Sequence, residues 1–217
     1  MSCRFPLIVF DLDGTLIDSR RDLAESANVV LEHRGLPTLP EEAVGQMVGD
    51  GAAGLVLRVF SAAGVAPPSN ALEQFLAEYN GRLLLHTREY PGIRDALAAL
   101  HARSTLAVLT NKPIDATHSI LSGLDLARFF SRVLGGDGPH PRKPDPQGLL
   151  ELVARAGVEK ERTVLVGDSV VDWSTARAAG TSVCLARYGF GFVGIPVERP
   201  SQTELVVDQP SDLPRVL

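Results

Sequence analysis

Asp11 and Asp13 stand together at the end of an apolar run, Leu7-Ile8-Val9-Phe10-Asp11-Leu12-Asp13-Gly14-Thr15. The run reads as a buried strand, and residues two apart on a strand share a face. Both carboxylates therefore project from the strand's carboxyl end, where open α/β sheets hold their ligands. Two like charges this close are costly unless a cation or a shared proton relieves them. Gly14 then lets the backbone turn sharply away. Such a pair suits a bound cation or proton transfer, and three further positions carry residues able to join it in one site.

A second apolar run, Leu106-Ala107-Val108-Leu109, ends in Thr110-Asn111-Lys112. A hydroxyl and exposed backbone amides at that point suit phosphate oxygens. Lys143 lies in Arg142-Lys143-Pro144-Asp145-Pro146, where prolines stiffen the backbone around a cation able to neutralise a phosphoryl group and a neighbouring carboxylate. A third run, Thr163-Val164-Leu165-Val166, ends in Gly167-Asp168-Ser169, with Asp172 in the first turn of the helix that follows. Acids at a sheet's carboxyl edge are what a hard divalent cation needs, and oxygen ligands favour Mg²⁺. Taken singly, each feature has an ordinary explanation. Thr110 could start a helix ahead of Pro113, Lys143 could be solvated, and the acids could serve helix entry. Together they would require four chain positions to converge by accident.

The elements that position these residues fall into two registers. Residues 18–89 read as almost wholly helical, with helices expected over 22–32, 41–48, 52–64 and 71–85 and no strand. From residue 90 helices alternate with strands: helix 93–103, strand 106–109, helix 114–122, strand 133–134, helix 146–157, strand 163–166, helix 170–179, strand 182–185 and a weak strand 205–207. That alternation implies a doubly wound, Rossmann-like parallel sheet with right-handed crossovers, an α/β core. Residues 1–17 and 90–217 form this core in the sequence reading. Residues 18–89 are an inserted α-helical bundle, a cap domain joined by two connections and able to open and close over the strand ends.

Bulk properties narrow the partners. The chain has 217 residues, 45% hydrophobic and 22% charged, with a net charge of −5. With no long basic run, neither nucleic acid nor an anionic membrane is expected as a partner. An anionic substrate must then be met locally, by a few placed cations, backbone amides or a metal. The two cysteines, Cys3 and Cys184, form no Cys-x-x-Cys pair, so neither a disulfide framework nor a zinc site is expected. The five histidines (33, 86, 101, 118 and 140) lack metal-ligand spacing and read as surface or supporting residues. No stretch is long enough to span a bilayer, and a cytoplasmic protein is the default expectation.

Four motifs occur in order: Asp11-Leu12-Asp13-Gly14-Thr15, Thr110-Asn111, Lys143-Pro144, and Gly167-Asp168-Ser169-Val170-Val171-Asp172. In these the chain resembles the haloacid dehalogenase-like superfamily of phosphohydrolases, in the subgroup with an α-helical cap. Within it the likeness is nearest to the bacterial phosphoglycolate phosphatases. It extends to Met47-Val48-Gly49-Asp50-Gly51-Ala52, Tyr90-Pro91-Gly92-Ile93, Leu109-Thr110-Asn111-Lys112-Pro113, Leu134-Gly135-Gly136-Asp137 and Lys143-Pro144-Asp145-Pro146.

That resemblance implies a Mg²⁺-dependent phosphatase acting through an aspartyl-phosphate on a small phosphorylated metabolite, 2-phosphoglycolate first, as a monomer or homodimer. It assigns Asp11 as nucleophile and Asp13 as general acid and base. Lys143, Thr110 and the Asn111 amide become phosphate contacts. The metal falls to Asp11, the Asp13 carbonyl and Asp168, with Asp172 acting through water or by orienting Lys143. In the cap, Gly49, Gly51 and Arg58 are candidate contacts for the substrate carboxylate. A sugar-phosphate phosphatase, a pyrophosphatase, a phosphomutase, or a non-catalytic protein that keeps the fold remain alternatives.

Overall fold

The computed structural model describes residues 4–195 and 201–217. Its strands and helices run in chain order as β1 (Leu7–Phe10), β2 (Ile17–Asp18), α1 (Arg20–Glu32), α2 (Glu41–Gly45), α3 (Gly51–Ala62), α4 (Ala71–Asn80), β3 (Arg88–Glu89) and α5 (Ile93–His101). Then come β4 (Thr105–Leu109), α6 (Ile114–Gly123), β5 (Arg132–Leu134), α7 (Gln147–Ala156), β6 (Thr163–Gly167), α8 (Val170–Ala179), β7 (Ser182–Ala186), β8 (Glu204–Val207) and α9 (Leu213–Val216).

Six strands form one sheet in the order β5-β4-β1-β6-β7-β8, and every pairing in it is parallel. β1 is central, so the chain crosses to one side of it for β4 and to the other for β6. That reversal opens a crevice at the strands' carboxyl ends. The alternation along β1 explains why it reads as a continuous apolar run. Ile8 and Phe10 enter one buried cluster and Leu7 and Val9 enter the cluster on the opposite face. A parallel sheet covered on both faces needs apolar residues at every position.

The inserted helices have a core of their own. Leu23, Ala27, Val30 and Leu31 line one face of α1 and pack with Leu55, Val59 and Phe60 of α3 and Phe75 of α4. This spacing is the amphipathic stripe of a bundle helix. Two of these helices stop earlier than their apolar pattern suggests. The α2 helix ends at Gly45 and α4 at Asn80. Just beyond α2 the chain continues in tight turns, with the Met47 and Val48 N–H groups bonded to the carbonyls of Val44 and Gly45.

The expectation of no strand over residues 18–89 is corrected. Asp18 and Arg88–Glu89 belong to a two-stranded antiparallel ribbon, with Ile17 opposite Glu89 and Asp18 opposite Arg88. Strands of two residues carry no periodicity, which is why sequence pattern misses them. The ribbon ties together the two connections between sheet and insertion. Buried Asp22 reinforces it from α1, accepting from the His86 N–H at 3.0 Å and from the Thr87 N–H and hydroxyl at 2.7 Å.

Cys184 is buried and free; Cys3 lies outside the described residues. Among the described residues, no helix is long and apolar enough to cross a membrane.

Candidate active site

Asp11 follows β1 directly, and its N–H still bonds the Val166 carbonyl of β6 at 2.8 Å. The side chain thus leaves the sheet at the crevice floor. Gly14, at φ +83°, lets the chain turn beside β6; a Cβ there would sit 2.0 Å from an oxygen of Asp168. Gly167 is required in the same way, since its Cβ would lie 2.2 Å from Cγ of Asp172. These two glycines allow three acids from two strand ends to pack together. Oxygens of Asp11, Asp168 and Asp172 all lie within 4.8 Å of one another, and all three residues are buried.

One buried cation faces this cluster directly. Lys143 Nζ stands 2.9 Å from Asp11 and 2.6 Å from Asp172. Its backbone is clamped by Asn111, whose Oδ1 accepts from the Lys143 N–H and whose Nδ2 donates to the Lys143 carbonyl, each at 2.9 Å. The same Nδ2 donates to the Gly49 carbonyl of the cap at 2.8 Å. Asn111 therefore joins cap, β4 and the lysine loop in one side chain. Asp172 has two duties. One oxygen holds Lys143, and the other accepts from the Ser169 N–H and hydroxyl in a capping box at the start of α8. Asp168 accepts from the Thr15 hydroxyl at 3.3 Å and the Gly191 N–H at 2.7 Å.

The electrostatics are unbalanced. Burial lifts Asp11 to about 7, partly offset by Lys143 and reinforced by the charges of Asp172 and Asp13. Burial also pushes Asp168 well above the usual carboxylate range, with the charges of Asp172 and Asp11 adding to it. Burial opposes the Lys143 charge, but Asp11 and Asp172 outweigh it and hold the ammonium protonated. Three buried carboxylates against one ammonium leave an excess of negative charge. An all-oxygen donor set with that excess fits a hard divalent cation. Among the described residues this is the one such cluster, and it contains no histidine.

Asp13 has a different setting. Lys112 Nζ reaches its two oxygens at 2.9 and 2.8 Å, and the Ser19 hydroxyl donates to it at 2.5 Å. Lys112 is buried and stands 4.7 Å from the centroid of the Tyr79 ring. Thr110 is buried on the crevice wall, with its hydroxyl accepting from the Lys112 N–H.

A cavity of about 50 Å³ lies between sheet and cap. Its floor carries Asp11, Asp13, Thr110, Asn111, Lys112 and Asp168. Its roof is largely carbon, from Leu23, Leu55, Phe75, Leu76 and the ring of Tyr79. Gly49 and Gly51 also line it. Gly51, at φ +80°, brings the cap turn against the Asn111 carbonyl, 2.9 Å from where a Cβ would sit.

Arg58 is not brought to the cavity wall. Its guanidinium donates to the Met47 carbonyl and pairs with Asp50, bracing the Gly49–Gly51 turn from outside. Lys143 and Asp172 stand behind Asp11 instead of lining the cavity. Sequence reasoning quoted Lys112 without giving it a role, and it missed Ser19 and the loop of Tyr188, Phe190 and Gly191, which donates to Asp168 and lines one side of the cavity. The signal for Lys112 was its place two residues beyond Thr110 at a strand end. For the loop it was the Gly189-Phe190-Gly191 run just past β7, since a Cβ on Gly189 would lie 2.2 Å from that of Asp168.

Fold and site together define a class. The chain belongs to the haloacid dehalogenase-like hydrolases, whose family pattern matches residues 8–186. It is 42% identical to the phosphoglycolate phosphatase of Rhodospirillum rubrum over 192 residues, covering 84% of this chain and 80% of that protein. It is 37% identical to the plasmid phosphoglycolate phosphatase of Cupriavidus necator over 217 residues, covering 97% and 92%. A crystal structure described as a predicted phosphoglycolate phosphatase of Haemophilus somnus superposes with a TM-score of 0.88 at 32% identity, covering 98% of both chains.

Proposed function

We propose that this chain is a Mg²⁺-dependent phosphatase that converts 2-phosphoglycolate to glycolate and phosphate through a phosphorylated Asp11. The observation that carries this reading is Asp11 itself. It stands at the crevice floor, 2.9 Å from a buried lysine and within 4.8 Å of two further carboxylates, under a small cavity between sheet and cap. The relatives named as phosphoglycolate phosphatases support the substrate. A largely apolar roof supports a small leaving group, because a sugar's hydroxyls would be buried there without partners.

In this mechanism the Asp11 carboxylate attacks phosphorus in line as the ester P–O bond breaks. Lys143, held by Asp172 and Asn111, offsets the repulsion between nucleophile and phosphate. The Thr110 hydroxyl and the Asn111 main-chain amide hold phosphate oxygens; the Asn111 side chain is already committed to Lys143 and Gly49. Asp13 gives its proton to the departing alkoxide. It then takes a proton from the water that attacks the phosphorus of the aspartyl-phosphate, which releases phosphate and restores Asp11. Asp11, Asp168 and the Asp13 carbonyl would hold Mg²⁺, with Asp172 at its edge. A metal there supplies charge neutralisation at the transferring phosphoryl group. Residues 18–89 act as the cap that admits substrate and closes over it, with residues 1–17 and 90–217 as the catalytic core.

The test is a panel of phosphate monoesters, sugar phosphates and pyrophosphate with purified protein and Mg²⁺. The highest kcat/KM is expected for 2-phosphoglycolate. A sugar phosphate or pyrophosphate turned over more efficiently, or a need for a sugar bisphosphate, would overturn the substrate. The acid–base assignment has its own signature. Asp13→Asn is expected to cost about 10²- to 10⁴-fold with an alkyl leaving group and far less with p-nitrophenolate, which leaves without a proton. Equal losses on both esters would contradict that role.

A further inference from the structure

Among the described residues, Lys112 is the one cation lining the cavity. Lys143 lies behind Asp11, and Arg58 faces Asp50. A lysine ammonium has three donors. Two of them are directed at the two oxygens of Asp13, at 2.9 and 2.8 Å. The third is not taken by Asp13 and faces Tyr79. The Tyr79 ring centroid lies 4.7 Å from Nζ, and the proton of the buried Tyr79 hydroxyl has no acceptor. An unpartnered buried hydroxyl is unfavourable, and a group that accepts from it would remove that cost. The rest of the roof is largely carbon, so Lys112 and Tyr79 are where an anionic leaving group would find donors.

We propose that Lys112 and Tyr79 form the subsite for the carboxylate of the leaving group, selecting phosphate monoesters of short 2-hydroxy acids. The inference rests on the phosphatase reading above and deepens it. Chemistry and geometry agree on the class. In a 2-hydroxy acid ester one carbon separates the carboxyl carbon from the ester oxygen. A single ammonium bonded to Asp13 and to that carboxylate holds the ester oxygen beside Asp13, the group that must protonate it. The same cation therefore recognises the substrate and registers it against the acid. A leaving group without the carboxylate lacks this registration, and the desolvated Tyr79 hydroxyl is left without an acceptor.

The test compares 2-phosphoglycolate with the phosphate ester of glycolamide, which replaces the carboxylate with a neutral amide of the same size. The quantity read is the ratio of their kcat/KM values, so losses common to both esters cancel. In the unaltered protein the ratio is expected to be about 100. Lys112→Met is expected to bring it near unity, Lys112→Arg to keep most of it, and Tyr79→Phe, which keeps the ring, to lower it severalfold. Equal turnover of both esters by the unaltered protein overturns the subsite while leaving the phosphatase reading intact. So does an unchanged ratio in Tyr79→Phe and in a folded Lys112→Met. If the protein hydrolyses neither ester but turns over other phosphate monoesters, it is the substrate reading that fails, and the subsite falls with it.

Discussion

Asp11→Asn will abolish turnover while the protein stays folded. The amide keeps the size and shape of the side chain but is a poor nucleophile toward phosphorus. The expected loss is at least about 10⁴-fold, the scale seen when a covalent nucleophile is removed and only binding and electrostatic stabilisation remain. Folding should survive. Asp11 is partnered by Lys143 in an environment that already favours its uncharged form, and the lysine keeps Asp172 at 2.6 Å. Circular dichroism and a melting curve check the fold, and a phosphate-release assay checks the activity. A folded variant with activity near that of the unaltered protein would mean that another group attacks phosphorus.

Removing divalent metal is the second large effect. A chelator should lower activity by about 10³-fold or more, and added Mg²⁺ should restore it, because a metal at a transferring phosphoryl group supplies several kcal/mol. The same cluster gives a readout independent of turnover. Burial raises Asp11 from 3.8 to about 7, and Asp168 is also raised. A raised pKa means that the metal-free folded state binds more protons than the unfolded chain between the two values. This contribution to stability is fully present below about pH 4 and is lost as pH rises to about 7. Mg²⁺ competes with those protons and relieves the exposed repulsion. Its effect on Tm should therefore be small near pH 5 and grow toward pH 8. A Tm gain that shrinks with rising pH, or full activity in chelator, would contradict a metal held by these acids.

Much of this site is readable before any coordinates, and the reason is the parallel sheet. Strands buried on both faces appear as unbroken apolar runs, so their carboxyl ends are marked by the first polar residues. Asp11, Thr110 and Asp168 are those residues, and doubly wound topology brings such ends to one crevice. Lys143 is legible because prolines frame it. Long-range partners are a different matter. The Lys112–Asp13 pair spans 99 positions and the Gly191–Asp168 bond spans 23. Neither leaves a local periodic signal. The β2–β3 ribbon is two residues wide, below the reach of any pattern. Arg58 illustrates the opposite limit. Its place on the helix after the Gly49–Gly51 turn suggests a substrate contact, yet the nearer Met47 carbonyl and Asp50 carboxylate capture it.

The insertion has the parts of a moving unit. Its buried core residues form a cluster distinct from the two of the sheet, with the partly buried Leu83 packed against both it and one of them. Its connections are pinned by the ribbon and by Asp22, leaving rotation about those two short segments as the economical motion. Asn111 bonds the Gly49 carbonyl, so the cap turn is linked to the same side chain that clamps Lys143.

The most direct test asks which atom receives the phosphoryl group. Borohydride reduces an acyl phosphate to an alcohol, so treatment during turnover of 2-phosphoglycolate converts a phosphorylated aspartate to homoserine. Peptide mass spectrometry then locates it. Homoserine is expected at position 11, only with substrate and Mg²⁺ present, and not in Asp11→Asn. Homoserine at Asp13 or at another acid, or none at all while phosphate release continues at full rate under trapping conditions, would contradict attack by Asp11.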